Sequence, residues 1–479
     1  MTSAHPYPRR WQALAVIATA QFLVIMDTSI IGVALPDMQE ALGFSPSNLS
    51  WVFNAYVVAL GGLLLLGGKL SDLLGARRVF TAGFVILTAA SIAAGLAQTV
   101  GVEIAARAAQ GAGAALIAPA ALTLLVMNFH HDERELRRAM SLYAAAAPAG
   151  GTAGVFLGGV LTEWLDWPWV FYVNVPIGLA VLIATPKVLP AGLRVAGRVD
   201  VASAITGTAA LSLLVFGVVR APEVGWTDPA TLWSIGGGLA LLALFVTLQA
   251  NHRDPLMPLS IFRTKDLAAG NAVMALLGAA WVPMWFFLNL FLQQVLGYGA
   301  FAAGASLLPM TVLMMLLMVG TTGRLVARFG PRRVLVTGLL SLAGGLVILA
   351  NVTSESTFVQ IALPGSLVAA VGMSLAYIPA MLSSMAHAAP SQSGLASGIV
   401  NTTYQVGSAL GLAAMTAVAT SAGADNVADP AALTDGYAAA FAGAAAIAVF
   451  AAGLAALTIG RRSAGSTDRE TDAEPVLVG

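Results

Sequence analysis

Asp27 is an acidic residue within an apolar stretch of the chain, with QFLVIM before it and TSIIGVAL after it. If this stretch lies in a lipid bilayer, an ionised side chain there costs on the order of 3 kcal/mol. Burial favours the neutral form of a carboxyl group, whereas a nearby cation favours its charged form. A proton and a lipophilic cation would therefore compete for Asp27, which is the chemistry of exchange. The alternative is a carboxylate that an arginine neutralises for packing alone.

Arg107 is a second charge in an apolar stretch, and Glu103 precedes it by four residues. Residues at this spacing share a helix face, so we expect Glu103 and Arg107 to form an ion pair that Asp27 shares or exchanges. A salt bridge with only a structural role is the alternative for Glu103. Histidine is the usual proton carrier near neutral pH. All five histidines fall in the N-terminal tail or in predicted loops, at His5, His130, His131, His252 and His387.

The other polar residues do not form a pattern typical of an enzyme. The chain has no cysteine, which excludes disulfides, thiolate metal sites and thiol nucleophiles. It has no GxxxxGK[ST] phosphate loop and no His-rich metal motif, so we expect no cofactor, no metal and no ATP-driven step. A net charge of zero argues against nucleic acid as a partner. An intramembrane enzyme or sensor would have only Asp27, Arg107 and Glu103 for its chemistry.

The elements that position these residues are predicted to be membrane helices. The 479 residues are 58% hydrophobic, more than one soluble core can bury. A bilayer core about 30 Å thick requires roughly 20 apolar residues per helix. The apolar run after Arg9 and Arg10 is too long for a secretory signal, and we interpret it as the first span. The predicted spans are 11–35, 49–68, 79–98, 102–127, 139–161, 168–187, 200–220, 230–250, 267–292, 302–323, 333–351, 357–382, 394–420 and 436–459.

The distribution of basic residues predicts the orientation of these spans. Lysine and arginine are retained on the cytoplasmic side of short loops. If both termini are cytoplasmic, 21 of the 23 lysines and arginines lie in tails or cytoplasmic loops, with Arg107 and Arg220 as the exceptions. An odd number of helices would destroy this pattern. We therefore predict a multi-pass protein of the bacterial cytoplasmic membrane.

One segment occurs twice, as GKLSDLLGARRVF at 68–80 and as GRLVARFGPRRVL at 323–335. Asp72 has no counterpart, since Ala327 occupies the equivalent position in the second copy. The shared positions are Gly68, Gly75, Arg77 and Arg78 in the first copy, and Gly323, Gly330, Arg332 and Arg333 in the second. A short turn with two glycines would allow two helix ends to approach closely.

The repeat sets the predicted domain organisation. Eight predicted helices separate the two copies, whereas two six-helix halves would place six between them, so two helices have been inserted. We predict an all-α membrane protein of two six-helix bundles plus two inserted helices. The predicted parts are an N-terminal bundle at 1–187, the inserted helices and a cytoplasmic connector at 188–266, a C-terminal bundle at 267–462, and a disordered cytoplasmic tail at 463–479.

Four segments resemble the major facilitator superfamily, and within it the fourteen-helix drug:proton antiporter branch. The repeated segment is similar to the superfamily loop between helices 2 and 3. MDTSIIGVALP at 26–36 is similar to the helix 1 signature, with Asp27 at its acidic position. RAAQGAGAAL at 107–116 is similar to the helix 4 pattern, and WPWVFYVNVPIG at 167–178 is typical of the branch. The helix 5 motif departs from the family, because Val155 occupies its usual proline position.

This resemblance implies the major facilitator fold and a proton-coupled exporter of lipophilic, often cationic, drugs or antibiotics. Such a protein works by alternating access, is driven by the proton gradient and needs no cofactor, and we expect a monomer. The family loop holds the cytoplasmic side closed, which suggests this role for Asp72; retention of basic residues in cytoplasmic loops alone would explain Arg77 and Arg78. The alternatives are import, a lipid-like substrate, or a self-resistance exporter dedicated to one antibiotic.

Two further groups of residues are candidates for transport. Glycines recur on predicted helix 5, at Gly150, Gly154, Gly158 and Gly159, and allow close helix packing with or without motion. Aromatic and amide side chains suit a permissive pocket for organic cations, although aromatic residues on membrane helices often face lipid instead. The candidate pocket residues are Trp285, Phe286, Asn289, Gln293, Tyr377 and Gln405.

Overall fold

The structure is a computed structural model that describes residues 9–44, 51–190, 201–251, 265–385, 393–424 and 429–459. All regular elements in these ranges are helical. The helices are α1 Arg10–Leu42, α2 Trp51–Leu74, α3 Ala76–Gly95, α4 Val100–Phe129, α5 Glu133–Trp164, α6 Asn174–Val188, α7 Val201–Val224, α8 Pro229–Asn251, α9 Lys265–Leu290, α10 with the segments Ala300–Ser306, Leu308–Leu317 and Gly323–Phe329, α11 Pro331–Leu349, α12 Leu363–Ser384, α13 Ser393–Ala419 and α14 Pro430–Thr458.

Each predicted span overlaps one of these fourteen helices. Within the described residues, thirteen helices are long and apolar enough to cross a bilayer, and α7 adds a shorter apolar stretch at Ile205–Val218. Several helices extend beyond the predicted spans, because hydropathy detects the part in hydrocarbon and not the helical turns that continue into water. The predicted tail at 463–479 and most of the connector lie outside the described residues.

The two halves repeat one packing pattern, with a shift of eight helices. In the first half, α1 packs along α5, α3 along α4, and α3 along α6. In the second half, α9 packs along α13, α11 along α12, and α11 along α14. This correspondence confirms the predicted architecture of two six-helix bundles with α7 and α8 inserted between them. The exact domain boundaries stay a prediction.

The repeated segment forms a one-residue junction between two helices in each half. Gly75 lies between α2 and α3 with a φ of 91°, and Gly330 lies between α10 and α11 with a φ of 80°. Both values are in the region that favours glycine. The expected turn is therefore shorter than the sequence suggested: Gly68 is buried inside α2, and Gly323 begins the last segment of α10.

In the described residues the halves meet mainly where α2 and α4 pack against α13 and where α5 packs against α10. We call the contact of α2 with α13 the α2–α13 seam and the contact of α5 with α10 the α5–α10 seam. A Cβ atom on Gly398 of α13 would lie 3.2 Å from a backbone oxygen of α2. Near it, the hydroxyl of Ser397 donates a hydrogen bond of 3.0 Å to the carbonyl oxygen of Pro119. At the α5–α10 seam, the hydroxyls of Thr152 and Thr311 share a hydrogen bond. The inserted helix α7 packs against both α2 and α13.

The glycines of α5 lie at two different interfaces. Gly150 and Gly154 face α1, where an added Cβ would meet backbone oxygens of α1 at 2.3 and 2.7 Å. Gly158 is buried, and Gly159 faces Phe301 of α10, with an added Cβ 3.6 Å from its backbone nitrogen. Val155, at the family's proline position, lies in an uninterrupted part of α5.

We predict that Gly150→Ala destabilises the protein by about 1–3 kcal/mol, because the new methyl group overlaps the α1 backbone. The adjacent Gly151 provides a matched control, since its Cβ would lie 3.7 Å from the nearest atom, in ordinary contact. Gly151→Ala should be neutral or slightly stabilising, because alanine favours helix more than glycine does. Thermal unfolding in detergent measures both, and equal midpoints for the two variants would contradict this packing.

Candidate functional site

Asp27 is fully buried near the middle of α1, and three side chains donate hydrogen bonds to its carboxylate. Arg107 Nη1 lies 2.9 Å from Oδ2, Gln110 Nε2 lies 3.1 Å from Oδ1, and Asn174 Nδ2 lies 2.5 Å from Oδ1. Two donors come from α4 and one from α6. Donors to both oxygens stabilise the charged form of a carboxylate.

Arg107 is also fully buried, and its guanidinium is held from several sides. Its Nε donates to the backbone carbonyl of Val52 at 2.8 Å, and its Nη1 also donates to Gln110 Oε1 at 2.9 Å. Its Cζ lies 4.7 Å from the centre of the Tyr56 ring and 6.0 Å from that of Phe171. The negative face of an aromatic ring attracts a cation. The charge of Arg107 is therefore balanced by one carboxylate, two oxygen acceptors and two rings.

Ser91 of α3 completes the hydrogen-bond network around Asp27. Its Oγ accepts a hydrogen bond from Gln110 at 2.8 Å and a longer one from Asn174 at 3.4 Å. These contacts orient both amide groups so that their nitrogens point to the carboxylate. Four helices of the N-terminal half, α1, α3, α4 and α6, thus contribute one polar residue or more to a single buried network.

Glu103 does not form the expected pair with Arg107. Glu103 is fully buried near the start of α4, and neither of its carboxyl oxygens has a hydrogen-bond partner among the described residues. Arg107 extends instead towards Asp27 and the Val52 carbonyl, which satisfy its Nη1 and Nε. Two other buried atoms of the site, Arg107 Nη2 and Asn174 Oδ1, also have no hydrogen-bond partner among the described residues. Sequence spacing predicted a shared helix face but not which acceptor the guanidinium reaches.

The paired arginines of the repeat lie at equivalent places in the two halves. Arg77 of α3 donates to the carbonyl of Leu189 at the end of α6, at 3.0 Å. Arg332 of α11 donates to the carbonyl of Ala456 near the end of α14. Cations stabilise the C-terminal ends of helices. The second arginine of each pair, Arg78 or Arg333, is exposed. Asp72 is half-buried in the last turns of α2.

The candidate pocket residues lie in the C-terminal half, on α9 and the helical turn after it, on α12 and on α13. Asn289 of α9 accepts a hydrogen bond of 3.1 Å from Gln293, which lies in the helical segment Phe291–Val295 directly after α9. Trp285, one turn before Asn289, is half-buried. Tyr377 on α12 stacks edge-on against Tyr404 of α13 at 6.0 Å, and Gln405 is half-buried. Phe286 differs from the others because 39% of its surface is exposed.

Sequence reasoning did not single out Gln110, Asn174 or Ser91. Gln110 follows Arg107 by three residues and so shares its helix face, which is a signal the sequence did contain. Asn174 is the one amide within the segment WPWVFYVNVPIG. Ser91 gave no signal, since serine is common in membrane helices. Among the described residues, no group of three histidine, cysteine or acidic side chains is placed to hold a metal ion.

The described residues form an all-helical, multi-pass protein whose halves repeat one packing pattern, an architecture common among membrane transport proteins. The chain belongs to the major facilitator superfamily, whose family model matches residues 17–322 and 311–477. Solved structures with the same fold include the human organic anion transporter MFSD10 (TETRAN), with a TM-score of 0.68 and 15% identity over 94% of this chain and 100% of that one. The proton:xylose symporter XylE matches with a TM-score of 0.69 and 14% identity, over 94% and 96% of the two chains.

Relatives of higher identity are named as antibiotic resistance or export proteins of bacteria. The cephamycin export protein CmcT of Amycolatopsis lactamdurans is 40% identical, over 93% of this chain and 91% of its own. The puromycin resistance protein pur8 of Streptomyces alboniger is 35% identical, over 90% and 87% of the two chains. The multidrug resistance protein Stp of Mycobacterium tuberculosis is 32% identical, over 85% and 76%. These relatives confirm the resemblance to the drug-exporting branch.

We predict that the buried pair behaves as one unit in unfolding. Arg107→Gln should cost about 3–5 kcal/mol, because it leaves Asp27 buried without its cation. The double variant Asp27→Asn, Arg107→Gln should recover part of that loss, since no unpaired charge remains. Chemical unfolding in detergent of the wild type, both single variants and the double variant gives the coupling energy. If the double variant loses the sum of the stabilities lost by the two single variants, Asp27 and Arg107 do not interact directly.

Proposed function

We propose that the chain is a proton-coupled exporter of lipophilic, often cationic, small molecules that works by alternating access. The observation that carries this proposal is the fully buried carboxylate of Asp27, paired with Arg107 at 2.9 Å inside a membrane-spanning bundle. Ionised groups at such a depth are expensive and are characteristic of proton and ion pathways. The names of the antibiotic and multidrug relatives support export as the direction of transport.

The geometry around Asp27 allows protonation to be coupled to helix packing. In the charged state, Asp27 accepts hydrogen bonds from α4 and α6 and so connects these helices to α1. A proton on Asp27 would remove its attraction to Arg107 and one of its acceptor positions. Arg107 would keep the Val52 carbonyl and Gln110 as acceptors. A lipophilic cation near Asp27 would favour the charged carboxylate, so cation and proton would replace each other.

Glu103 is the second acid in this scheme. A carboxyl group that is buried without any hydrogen-bond partner is more stable when it is neutral. We infer that Glu103 carries a proton while Asp27 is paired with Arg107. The unpartnered Nη2 of Arg107 then offers a contact for Glu103 once it becomes charged. The two acids would in this way exchange the guanidinium during the cycle.

Alternating access would proceed at the α2–α13 and α5–α10 seams. We propose that the end bearing Arg77, Arg78, Arg332 and Arg333 is cytoplasmic, with both termini on that side and with Asp72 contributing to closure of that end. For a substrate without net charge, the movement of one proton through 100 mV supplies about 2.3 kcal/mol. This energy supports a substrate gradient of one to two orders of magnitude. One-for-one exchange with a monovalent cation moves no net charge and is driven by the pH difference. The proposed transporter is a monomer.

A self-resistance exporter dedicated to one antibiotic is the second candidate function. The relatives named for cephamycin and puromycin favour this narrower form, and the multidrug resistance relative favours the broader one. Both forms use the same coupling site and differ only in the residues that contact substrate. Uptake measured with several lipophilic cations and with single antibiotics separates the two.

We predict that Asp27→Asn abolishes transport driven by a pH gradient, because asparagine cannot take up a proton. The assay is uptake of a fluorescent lipophilic cation into everted membrane vesicles with an acidic interior. Asp37→Asn is the matched control, since Asp37 is an exposed acid on the same helix, and it should retain wild-type transport. Gradient-driven uptake by a folded Asp27→Asn variant would contradict the proposal.

We predict that Glu103→Gln folds as stably as the wild type, because glutamine resembles the neutral acid in shape. If Glu103 carries a transported proton, this variant should release about one proton fewer when it binds substrate. A pH indicator dye measures the release in weakly buffered detergent solution, and the exposed acid Glu163 provides the control variant Glu163→Gln. If Glu103→Gln releases as many protons as the wild type, Glu103 does not carry a transported proton, and Asp27 is then the one proposed proton carrier.

A further inference from the structure

A groove lies between α1 and α6. Its volume is about 460 Å³. The exposed side chains of Leu179 and Ile183 lie beside it on α6. Small side chains on both helices leave the space open. The groove is lined mainly by Ala15, Val16, Thr19, Ile177, Ala180 and Ala184.

The lining of the groove suits a hydrocarbon chain. Thr19 is the one polar side chain that lines it, and its hydroxyl donates to the carbonyl of Ala15 at 2.9 Å. The groove therefore offers no free side-chain hydrogen-bond donor to a polar ligand. The volume of 460 Å³ accommodates roughly fifteen groups of about 30 Å³ each, the share of one water molecule and close to the size of a methylene group.

Two exposed cations lie at the end of the groove nearest the start of α1. Lys187 follows the lining residue Ala184 by one helical turn. Arg9 Nη1 lies 2.9 Å from the carbonyl oxygen of Lys187, which brings its charge to the same helix end. Neither residue forms an ion pair in the described part of the chain, whereas the adjacent Arg10 is paired with Glu135 at 2.8 Å. This end of the groove therefore has an excess of positive charge.

We propose that this groove binds an anionic phospholipid. One acyl chain would lie between α1 and α6, and the phosphate would contact Arg9 and Lys187. An apolar groove alone selects weakly, because the surrounding bilayer is equally apolar. The charge of the headgroup therefore determines which lipid binds, since basic pockets at the ends of membrane helices attract anionic headgroups. The bound lipid would stabilise the packing of α1 on α6, the same helices that carry Asp27 and Asn174.

The test compares two lipids with identical acyl chains. The purified full-length protein in detergent is titrated with dioleoyl phosphatidylglycerol or dioleoyl phosphatidylcholine, and the midpoint of thermal unfolding is measured. We expect the anionic lipid to stabilise the wild type at lower concentration. Replacing each cation should weaken apparent affinity for phosphatidylglycerol roughly fivefold, from the strength of one basic residue at an anionic surface. The double variant Arg9→Gln, Lys187→Gln should then bind both lipids equally.

Two further variants test the groove and the charge separately. Ala180→Phe fills the groove and should weaken stabilisation by phosphatidylglycerol without removing a cation. Arg134→Gln removes an exposed cation near the start of α5, and this variant should still prefer phosphatidylglycerol to phosphatidylcholine. Equal stabilisation of the wild type by the two lipids would overturn the proposal, as would a preference that survives either the double variant or Ala180→Phe. Glycerophosphoglycerol has the same headgroup but no acyl chain. If it stabilises the protein as much as phosphatidylglycerol does, the site binds only an anion, and the proposal is overturned.

Discussion

The burial of a carboxylate and a guanidinium in a membrane-spanning bundle constrains the structure of the N-terminal half. Neither charged group is exposed to water, so their hydrogen bonds are made to other protein groups. The pair itself joins one oxygen of Asp27 to one nitrogen of Arg107. Two amides and a backbone carbonyl provide further partners for the two charges, and the Ser91 hydroxyl in turn accepts hydrogen bonds from the amides. These groups come from α1, α2, α3, α4 and α6, so the pair fixes how five helices meet.

The same half-structure occurs twice, but among the described residues the fully buried charged side chains lie in the first copy alone. Both halves have the glycine junction at Gly75 or Gly330 and the arginine that contacts the end of a neighbouring helix. The glycine junction and the arginine contact are therefore part of the packing pattern that both halves share. In the described C-terminal half, the helices α9, α11, α12 and α14 pack through mainly apolar residues, with no ion pair. In the described residues, the fully buried charges therefore belong to the N-terminal half alone.

The sequence was sufficient to predict the helix number, the repeat and the two buried charges. Asp27 and Arg107 could be recognised because a charged residue in an apolar run is costly and therefore informative. Asn174 could not, because an amide carries a weaker signal and its contact spans 147 residues of chain. Glu103 shows the limit of spacing arguments: four residues place it on the face of Arg107, but the guanidinium has better acceptors on α1 and α2. Helix ends were also missed, since hydropathy does not report helical turns in water.

The inserted helix α7 makes the two seams unequal. It packs against α2 and α13, which are the two sides of one seam, and the chain contains a single inserted pair of helices. Small residues hold it close to α2, where Gly61 faces Val215 and Gly62 faces Ser212. If the halves rotate relative to each other, α7 cannot keep both sets of contacts, and it must slide along at least one partner. The fourteen-helix form thus places an additional helix along one boundary between the halves that a twelve-helix core would leave uncovered.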